Sequence, residues 1–325
     1  MRLAVVGAGA IGGFLGARLA RSGQELALIA RGPHLAALRE HGLRVIEGEE
    51  SYTVQPFATD DPGEVGAVDC VIITLKAHSL PAMAGRLGPL LGPDTPVVTA
   101  MNGLPWWYFQ RHGGPWEGTV LHSLDPGGGI SRAIEVGRVI GCIVFPSAEV
   151  PEPGVIRHVG GDRFTLGEPD GAKTERVQRI AEVLIKAGLK APIRSRIRHE
   201  IWVKLMGNMA FNPIAALTGA TLGEITGDAE VAALARGVMR EAAAVCEKLD
   251  IRMEITPEQR IEGAAKLAGH RASMLQDLEA GRPLELDSLL GAVLELGGIV
   301  GVEMPRTHTL FATTRLRAAL RPHVH

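Results

Sequence analysis

The length, composition and charge of this chain exclude several classes of protein. Its 325 residues are enough for two domains, each with its own hydrophobic core. A formal net charge of −2 provides no basic field for nucleic acid or for an anionic membrane surface. The three cysteines are widely separated and form no C-x-x-C pair, so we expect neither a disulfide framework nor a metal site. Because Met1 leads straight into an apolar run, and no apolar stretch is long enough to span a bilayer, we expect a cytoplasmic protein.

The opening segment has the pattern of a dinucleotide-binding unit. Its residues predict a buried strand, a glycine turn, a helix and a second buried strand, at positions 3–6, 7–12, 11–19 and 25–30. Gly7, Gly9 and Gly12 stand at the G-x-G-x-x-G spacing: the first allows the tight turn, the second lets a pyrophosphate approach, and the third lets helix and strand pack closely. Ala10 and Ile11 follow at the start of the helix, whose N–H groups favour phosphate. The alternative is a glycine-rich turn that only packs the sheet.

The residue that follows the second strand distinguishes the two nicotinamide cofactors. Sites for NAD usually have an acid there, which hydrogen-bonds the ribose 2′-hydroxyl. This chain has Arg31 instead, and a guanidinium can bind a 2′-phosphate through two charge-assisted hydrogen bonds. We therefore expect NADP(H) to be preferred over NAD(H). The alternative is that Arg31 is an ordinary solvated side chain.

Two later strands of the predicted parallel sheet also lead into polar residues. Residues 68–75 end at Lys76, and residues 96–100 are followed closely by Asn102. Ligands of open parallel sheets lie beyond the carboxyl ends of the strands, so both side chains are candidate cofactor contacts. Because Asn-Gly favours tight turns, the alternative is that Asn102 only forms a turn with Gly103.

The rest of the first domain predicts further strands with few helices between them. These strands are expected at 120–123, 138–144, 155–159 and 163–166. Because helices are scarce among them, we expect antiparallel or mixed pairing that extends the same sheet. A helix at 173–187 and an extended segment at 189–193 complete the domain.

Beyond these residues only helices are predicted. They lie at 198–211, 230–249, 257–268 and 286–300. The sequence thus predicts an α/β fold with two domains. Residues 1–193 form a Rossmann-type dinucleotide-binding domain with a mixed sheet extension, and residues 194–325 form an all-helical domain.

One helix of the second domain carries a polar stripe on an apolar background. At roughly 100° per residue, Lys204, Asn208 and Asn212 lie near one another on the helix surface. Glycine at 207 and two asparagines are poor residues for a helix interior, so helix propensity does not account for them. A lysine in such a stripe can donate a hydrogen bond and a proton to a carbonyl group. The alternative is a solvated face from which Lys204 extends into water.

Together these motifs resemble the ketopantoate reductase family (2-dehydropantoate 2-reductases) along essentially the whole chain. The matching pieces, in order, are GAGAIG at 7–12, Arg31, Lys76, Asn102-Gly103, K-L-x-x-N-x-x-x-N-P from Lys204, S-M-L-Q-D from Ser273, and Glu285. Their order and spacing carry the resemblance, which no single piece would. It implies NADPH-dependent reduction of 2-dehydropantoate to (R)-pantoate, a step toward pantothenate and coenzyme A.

The resemblance also implies roles for the matching residues. Lys204 is similar to the catalytic lysine that polarises the ketone and protonates the alkoxide, and Glu285 to the acid that orients the substrate hydroxyl and this lysine. Asn208, Asn212 and Ser273 match substrate-binding positions. The residues expected to contact NADP(H) are Gly7, Gly9, Ala10, Ile11, Gly12, Arg31, Lys76 and Asn102. The expected partner is a small 2-oxo acid, with no metal, nucleic acid or membrane, and the apolar helical domain is compatible with a homodimer.

The chain departs from the family pattern where substrate is recognised. His270 stands three residues before Ser273, where the family commonly has asparagine, and the asparagine expected after Asn212-Pro213 is absent. Serine and asparagine donors can hold a substrate carboxylate without a strongly cationic pocket. Two alternatives therefore stay open: an NADP-dependent reductase of a different 2-oxo acid, and a non-catalytic NADP-binding sensor.

The aromatic run at 106–109 is expected either to line a cleft or to pack beneath a loop.

Overall fold

The chain folds into two compact units. A computed structural model describes residues 1–320; residues 321–325, with which the second predicted domain ends, lie outside the described part. Unit one comprises Met1–Met101, Pro105–Val120 and Gly127–Ile197. Unit two comprises Asn102–Leu104, Leu121–Pro126 and the chain from Arg198 onward. Two short segments from the first half of the sequence therefore belong to the second unit.

The predicted α/β architecture is confirmed. In chain order the strands of residues 1–320 are β1 (Arg2–Val6), β2 (Glu25–Ile29), β3 (Leu43–Glu47), β4 (Glu50–Val54), β5 (Phe57–Thr59), β6 (Cys70–Ile73), β7 (Val97–Ala100), β8 (Val139–Val144), β9 (Ser147–Glu152), β10 (Val155–Gly160) and β11 (Phe164–Gly167). The α-helices of the first unit are α1 (Ala10–Arg21), α2 (Gly32–His41), α3 (Leu80–Ala84), α4 (Gly129–Ala133) and α5 (Glu175–Lys186).

The main sheet of unit one has seven strands in the order β11-β8-β7-β6-β1-β2-β5. Every neighbouring pair is parallel except β11 and β8, which are antiparallel. The central strands β6, β7 and β8 are buried throughout, as continuous apolar runs in a parallel sheet predict. The mixed extension expected of the later strands is therefore confirmed for β8 and β11.

The first glycine turn fixes how α1 packs on this sheet. Gly7 has a φ of +101°, a conformation that side chains other than glycine rarely adopt. A Cβ on Gly12 would lie 2.0 Å from the Gly7 carbonyl oxygen and 2.3 Å from Thr74 Oγ1. The Thr74 hydroxyl donates a hydrogen bond of 2.7 Å to that same carbonyl. Only a glycine at position 12 lets α1 start this close to β1 and to the end of β6.

The strand predicted at 155–159 is present but belongs to a different sheet from the one expected. It forms β10 in a separate four-stranded sheet of order β4-β3-β10-β9. This sheet lies against α1: a Cβ on Gly13 would be 2.7 Å from Ile156, and Phe14 stacks on His158 with ring centroids 4.2 Å apart. The prediction was wrong because apolar alternation identifies a strand without specifying the strand with which it pairs.

The strand predicted at 120–123 is not formed, because its backbone N–H groups are satisfied by a side chain. His122 and Ser123 donate their amide hydrogens to the Glu295 carboxylate over 2.7 and 2.9 Å. The Ser123 hydroxyl donates a third bond of 2.6 Å to the same group. The segment at 189–193 likewise forms only isolated parallel bridges to residues of β11 and its flank, from Lys190 and Ile193. Pro192 has no N–H to continue a ladder.

Unit two is helical, as predicted. Its α-helices within residues 1–320 are α6 (Ile197–Thr218), α7 (Leu222–Gly227), α8 (Ala229–Lys248), α9 (Pro257–Ala265), α10 (Ser273–Glu279), α11 (Ala292–Val300) and α12 (Pro305–Ala319). The four predicted helices correspond to α6, α8, α9 and the region of α11, whereas α7, α10 and α12 were not predicted. A π-helical turn, Asp287–Gly291, leads into α11.

Helix α6 continues seven residues beyond its predicted end at Phe211, passing through Asn212 and Pro213. A proline inside a helix removes one N–H donor and strains the preceding turn. Both residues are buried, so tertiary packing outweighs this local cost.

The aromatic run at 106–109 packs in the core of unit one. Trp107, Tyr108 and Phe109 are each at most 1% exposed, and Trp107 Nε1 donates a hydrogen bond of 3.0 Å to Thr99 Oγ1. The alternative in which these rings line a cleft is therefore wrong.

All three cysteines are free and buried. In residues 1–320 no helix combines the length and the apolar character needed to cross a membrane.

We predict that Gly12→Ala lowers the free energy of unfolding by about 3 kcal/mol, since the new methyl group collides with backbone and with Thr74. Urea denaturation followed by circular dichroism measures this. Gly85→Ala is the matched control, because apart from the adjoining residues of the chain no heavy atom of residues 1–320 lies within 4 Å of a Cβ built there. Equal stability of the two variants would contradict the packing described above.

Candidate active site

A pocket of about 400 Å³ lies in unit one at the glycine turn. Gly7, Gly9 and Arg31, three of the residues predicted to bind cofactor, line it together. The pocket lies where β1 and β2 end, at the carboxyl edge of the parallel sheet. This is where ligands of open α/β sheets bind, as the sequence analysis expected.

The start of α1 offers this pocket a site for an anion. Gly9 is the N-cap residue and Ala10 and Ile11 begin the helix, whose first turn contains no acidic residue. Apart from the adjoining residues of the chain, no heavy atom of residues 1–320 lies within 4 Å of a Cβ built on Gly9, so its backbone faces open space. The first N–H groups of a helix have no partner within the helix and carry a partial positive charge. A phosphate can therefore approach the main chain closely here.

Two arginines line the same pocket. Arg31 stands immediately before α2 and is exposed. Arg86, which the sequence analysis did not select, donates a hydrogen bond of 2.8 Å to the main-chain oxygen of Asp60, another residue of the pocket. No motif marks Arg86, because it lies in the irregular segment after α3. The pair gives the pocket two guanidinium groups that can bind a phosphate.

His34 contributes a neutral ring to the pocket wall. Its Nδ1 accepts a hydrogen bond of 3.1 Å from the Gly154 amide, so that nitrogen carries no proton. Burial lowers the pKa of His34 below its ordinary value. The positive charge of this pocket at neutral pH therefore comes from its arginines.

Lys76 lies outside the set of residues that line this pocket. It follows β6 and is the N-cap of a short 3₁₀ turn, Ala77–Ser79, and its amine is buried. The strand predicted at 68–75 ends earlier, at Ile73, so Lys76 is three residues beyond the strand.

In unit two, three predicted site residues are in contact. The Lys204 amine donates a hydrogen bond of 2.6 Å to Asn102 Oδ1. The Asn102 amide nitrogen in turn donates to Glu285 Oε2 over 3.5 Å. Asn102 therefore connects the lysine of α6 to the carboxylate that precedes the π-helical turn. A cation, an amide and an acid linked in this way can hold and protonate a carbonyl oxygen.

A second glycine fixes Asn102 in this arrangement. Gly103 has a φ of +83°, and a Cβ there would lie 2.4 Å from the Ser288 carbonyl oxygen. That oxygen also accepts a hydrogen bond of 2.9 Å from the Leu104 amide. The segment Asn102–Leu104 thus packs directly on the π-helical turn, three residues after Glu285. Such turns often occur at functional sites because they redirect side chains.

The two asparagines of α6 line a further pocket in unit two, which we call the helix pocket. It has a volume of about 340 Å³ and is lined by residues of α6, α9 and the segment before α10. Asn208 and Asn212 lie in it, as do Arg260 and His270. His270 is the departure from the family pattern noted above, whereas Arg260 was not predicted, because no motif distinguishes it. Ser273 begins α10, is exposed, and is not among the lining residues.

Metal ligands are not assembled in the described chain. In residues 1–320 no three His, Cys, Asp or Glu side chains are grouped so that they could hold a metal ion.

Comparisons with known proteins agree with the order of these motifs. Residues 3–106 match the family model described as ketopantoate reductase PanE/ApbA, and residues 196–318 match the model described as ketopantoate reductase PanE/ApbA C terminal. A curated 2-dehydropantoate 2-reductase of Mesorhizobium japonicum is 51% identical over 322 residues, covering 99% of each chain. Another, from Pyrococcus horikoshii, is 28% identical and covers 98% of each.

A solved structure is similar over almost the same length. The crystal structure of a candidate ketopantoate reductase from Ralstonia solanacearum MolK2 is 42% identical, covers 98% of each chain and superposes with a TM-score of 0.94. The two family models and the full-length relative at 51% identity establish the relationship independently of the motifs. The chain belongs to the ketopantoate reductase family.

Proposed function

We propose that this protein is an NADPH-dependent 2-dehydropantoate 2-reductase, which reduces 2-dehydropantoate to (R)-pantoate on the way to pantothenate and coenzyme A. The observation that carries the proposal is the contact of Lys204 with Asn102, and of Asn102 with Glu285. Family membership and the full-length relatives supply the substrate. The alternative reading as a non-catalytic sensor does not account for these contacts in unit two, because binding a dinucleotide requires only unit one.

The residues of unit one fit NADP(H). The open backbone at Gly9 and the start of α1 suit a pyrophosphate, and Arg31 suits a 2′-phosphate. Arg86 would add a second guanidinium to the same pocket. When bound, the reduced nicotinamide supplies a hydride to the ketone carbon.

Lys204 is the general acid in this proposal. Negative charge develops on the ketone oxygen as the hydride arrives, and an ammonium group stabilises that charge and then provides the proton. The Asn102 oxygen takes one of the three N–H donors of the lysine and so limits the directions in which the amine can point. Glu285, which accepts from the Asn102 amide, favours the charged form of a nearby lysine and can accept a hydrogen bond from the substrate hydroxyl.

Asn208 and Asn212 are proposed to bind the substrate beside this lysine. They stand one and two turns after Lys204 on α6, and at about 100° per residue all three lie within one third of the helix circumference. Ser273 and Lys76 keep their proposed roles as a substrate contact and a cofactor contact.

A cytoplasmic location is part of the proposal and agrees with three free, buried cysteines. The homodimer stays a prediction that light scattering can test.

The direct test of the proposal is NADPH oxidation by the purified protein with a panel of 2-oxo acids. Turnover of 2-dehydropantoate far above that of the other acids supports the proposed function. A clear preference for another acid would identify the protein as a reductase of that acid. Tight NADPH binding with no turnover of any acid would identify it as a sensor.

We predict that Lys204→Ala lowers kcat by about 10³-fold, because it removes the group that acts mainly in the transition state. The dissociation constant for NADPH, measured by fluorescence titration, should stay within about twofold of the wild-type value. Lys248→Ala, which removes an exposed lysine at the end of α8, is the control and should leave kcat unchanged. An unaltered kcat in Lys204→Ala would exclude the proposed general acid.

We predict that Arg31→Ala weakens NADPH binding by roughly 10- to 100-fold and changes NADH binding little, because only NADPH carries the 2′-phosphate. Fluorescence titration with both cofactors measures the two dissociation constants. Arg44→Ala, which removes an exposed arginine of β3, should affect neither. Equal losses for the two cofactors would show that Arg31 does not bind this phosphate.

We predict that Gly9→Ala weakens NADPH and NADH about equally, by about tenfold or more, because the methyl group occupies the space through which a pyrophosphate reaches the backbone. The melting temperature should change little, since the added Cβ meets no described atom within 4 Å other than those of adjoining residues. Unchanged affinity for both cofactors would place the pyrophosphate elsewhere.

A further inference from the structure

The helix pocket contains a guanidinium group that makes no polar contact within the described chain. Arg260 belongs to α9 and is partly buried, yet no hydrogen bond or ion pair joins its side chain to any of residues 1–320. Its burial lowers the pKa of Arg260 from the ordinary value, although a guanidinium remains charged at neutral pH. No acidic residue is among the described residues that line the pocket. A cation removed from water without a partner costs free energy that an anionic ligand would offset.

Two amide side chains in the same pocket also lack partners in residues 1–320. Asn212 is only 7% exposed, and its side chain makes no hydrogen bond within this part of the chain. Asn208, one turn earlier on α6, is half-buried and likewise makes none. Buried polar groups are nearly always hydrogen-bonded, so the buried amide of Asn212, beside a partly buried guanidinium and a second amide in the same pocket, favours a polar ligand there.

The glycine in the middle of α6 provides the space for this guanidinium. A Cβ on Gly207 would lie 2.8 Å from Arg260 Nε and 2.9 Å from Nη2. Glycine in a helix interior costs about 1 kcal/mol relative to alanine, so its presence here calls for a reason. The reason given by the geometry is that Arg260 lies flat against α6 at this residue. From the sequence alone, Gly207 was recognisable only as a poor helix residue.

We propose that Arg260 binds the carboxylate of the substrate, with Asn208 and Asn212 as neutral donors beside it, and that Gly207 is the glycine that admits its guanidinium. The inference rests on the proposed function, because a 2-oxo acid carries its carboxylate next to the ketone that Lys204 would polarise. Gly207 and Asn208 lie one turn after Lys204 on the same face of α6, so both groups of a small 2-oxo acid can be reached from this helix. A guanidinium matches a carboxylate through two parallel hydrogen bonds.

This assignment changes how the acid group is expected to be recognised. Serine and asparagine donors alone can hold a carboxylate without a strongly cationic pocket. In this chain an asparagine of the family pattern is replaced by His270, which lines the helix pocket, and another is absent. A charged donor at Arg260 compensates for fewer neutral ones and makes binding depend on a negative charge on the substrate.

The test compares Arg260→Gln and Arg260→Lys with the wild type. For 2-dehydropantoate we expect KM to rise by roughly 10- to 100-fold in Arg260→Gln, with kcat changed by less than about threefold. Arg260→Lys should recover part of the loss, since it keeps the charge but not the paired hydrogen bonds. The neutral lactone of the same acid has no free carboxylate, so its KM or inhibition constant should be the same in all three proteins. Arg252→Gln, which removes an exposed arginine of the same unit, is the control.

A second variant tests the role of the glycine. Gly207→Ala should raise KM for the acid while leaving the melting temperature unchanged or higher, because it improves helix propensity but displaces the guanidinium. A fall in melting temperature with no change in KM would show that Gly207 serves packing alone.

The outcomes separate this inference from the proposed function. If the wild type reduces 2-dehydropantoate and Arg260→Gln has an unchanged KM, or loses the acid and the lactone equally, the inference is wrong and the proposed function stands. If the wild type reduces no acid, calorimetric titration with 2-dehydropantoate still tests the pocket: binding by the wild type that Arg260→Gln loses supports the inference, and no binding by the wild type overturns it.

Discussion

The hydrogen bond from Lys204 to Asn102 is the interaction on which the proposed chemistry of unit two depends. It joins a residue in the middle of α6 to a three-residue segment that follows the last parallel strand of the first half of the chain. The same asparagine donates a hydrogen bond to Glu285, so one amide side chain contacts both the lysine and a carboxylate that is far from it in the sequence. An amide can do this because it has both an acceptor and a donor.

Three glycines allow close approaches in this protein that a side chain would block, and each admits a different group. Gly12 lets a helix start against a carbonyl oxygen, Gly103 lets a loop lie on the π-helical turn, and Gly207 lets a guanidinium lie on a helix. In each case the nearest obstacle to a Cβ is less than 3 Å away. Glycine is here a requirement of close approach, and only Gly103 of these three also needs a positive φ.

Much of the fold could be predicted from the sequence, because local patterns determine it. Continuous apolar runs identified the parallel strands, and the glycine spacing identified the first turn and helix. Strand partners could not be predicted in the same way: β10 has the pattern of a strand, but its pairing with β3 depends on the packing of α1 against a second sheet. The end of α6 was misjudged for a similar reason, since burial keeps Pro213 within the helix.

The site residues divide along the same line. Gly9, Arg31 and Lys204 stand within recognisable spacings and could be selected from the sequence. Arg86 and Arg260 could not, because each is an ordinary arginine in sequence and becomes unusual only through the pocket that it lines. A partly buried charge without a partner, such as that of Arg260, can be recognised only from the three-dimensional positions of the groups around it.

The division of the chain into units has a consequence for how the protein can be dissected. A fragment that begins at Arg198 would keep α7 to α12 and all of α6 except its first residue, but it would lack Asn102 and residues 121–126. It would therefore lose the amide that contacts Lys204 and the two backbone N–H groups bound by Glu295. The helical half is thus completed by loops encoded far upstream, so the boundary of an autonomous module cannot be drawn as a single cut. Recombination that exchanged the dinucleotide-binding half between relatives would also exchange Asn102, a residue of the proposed active site.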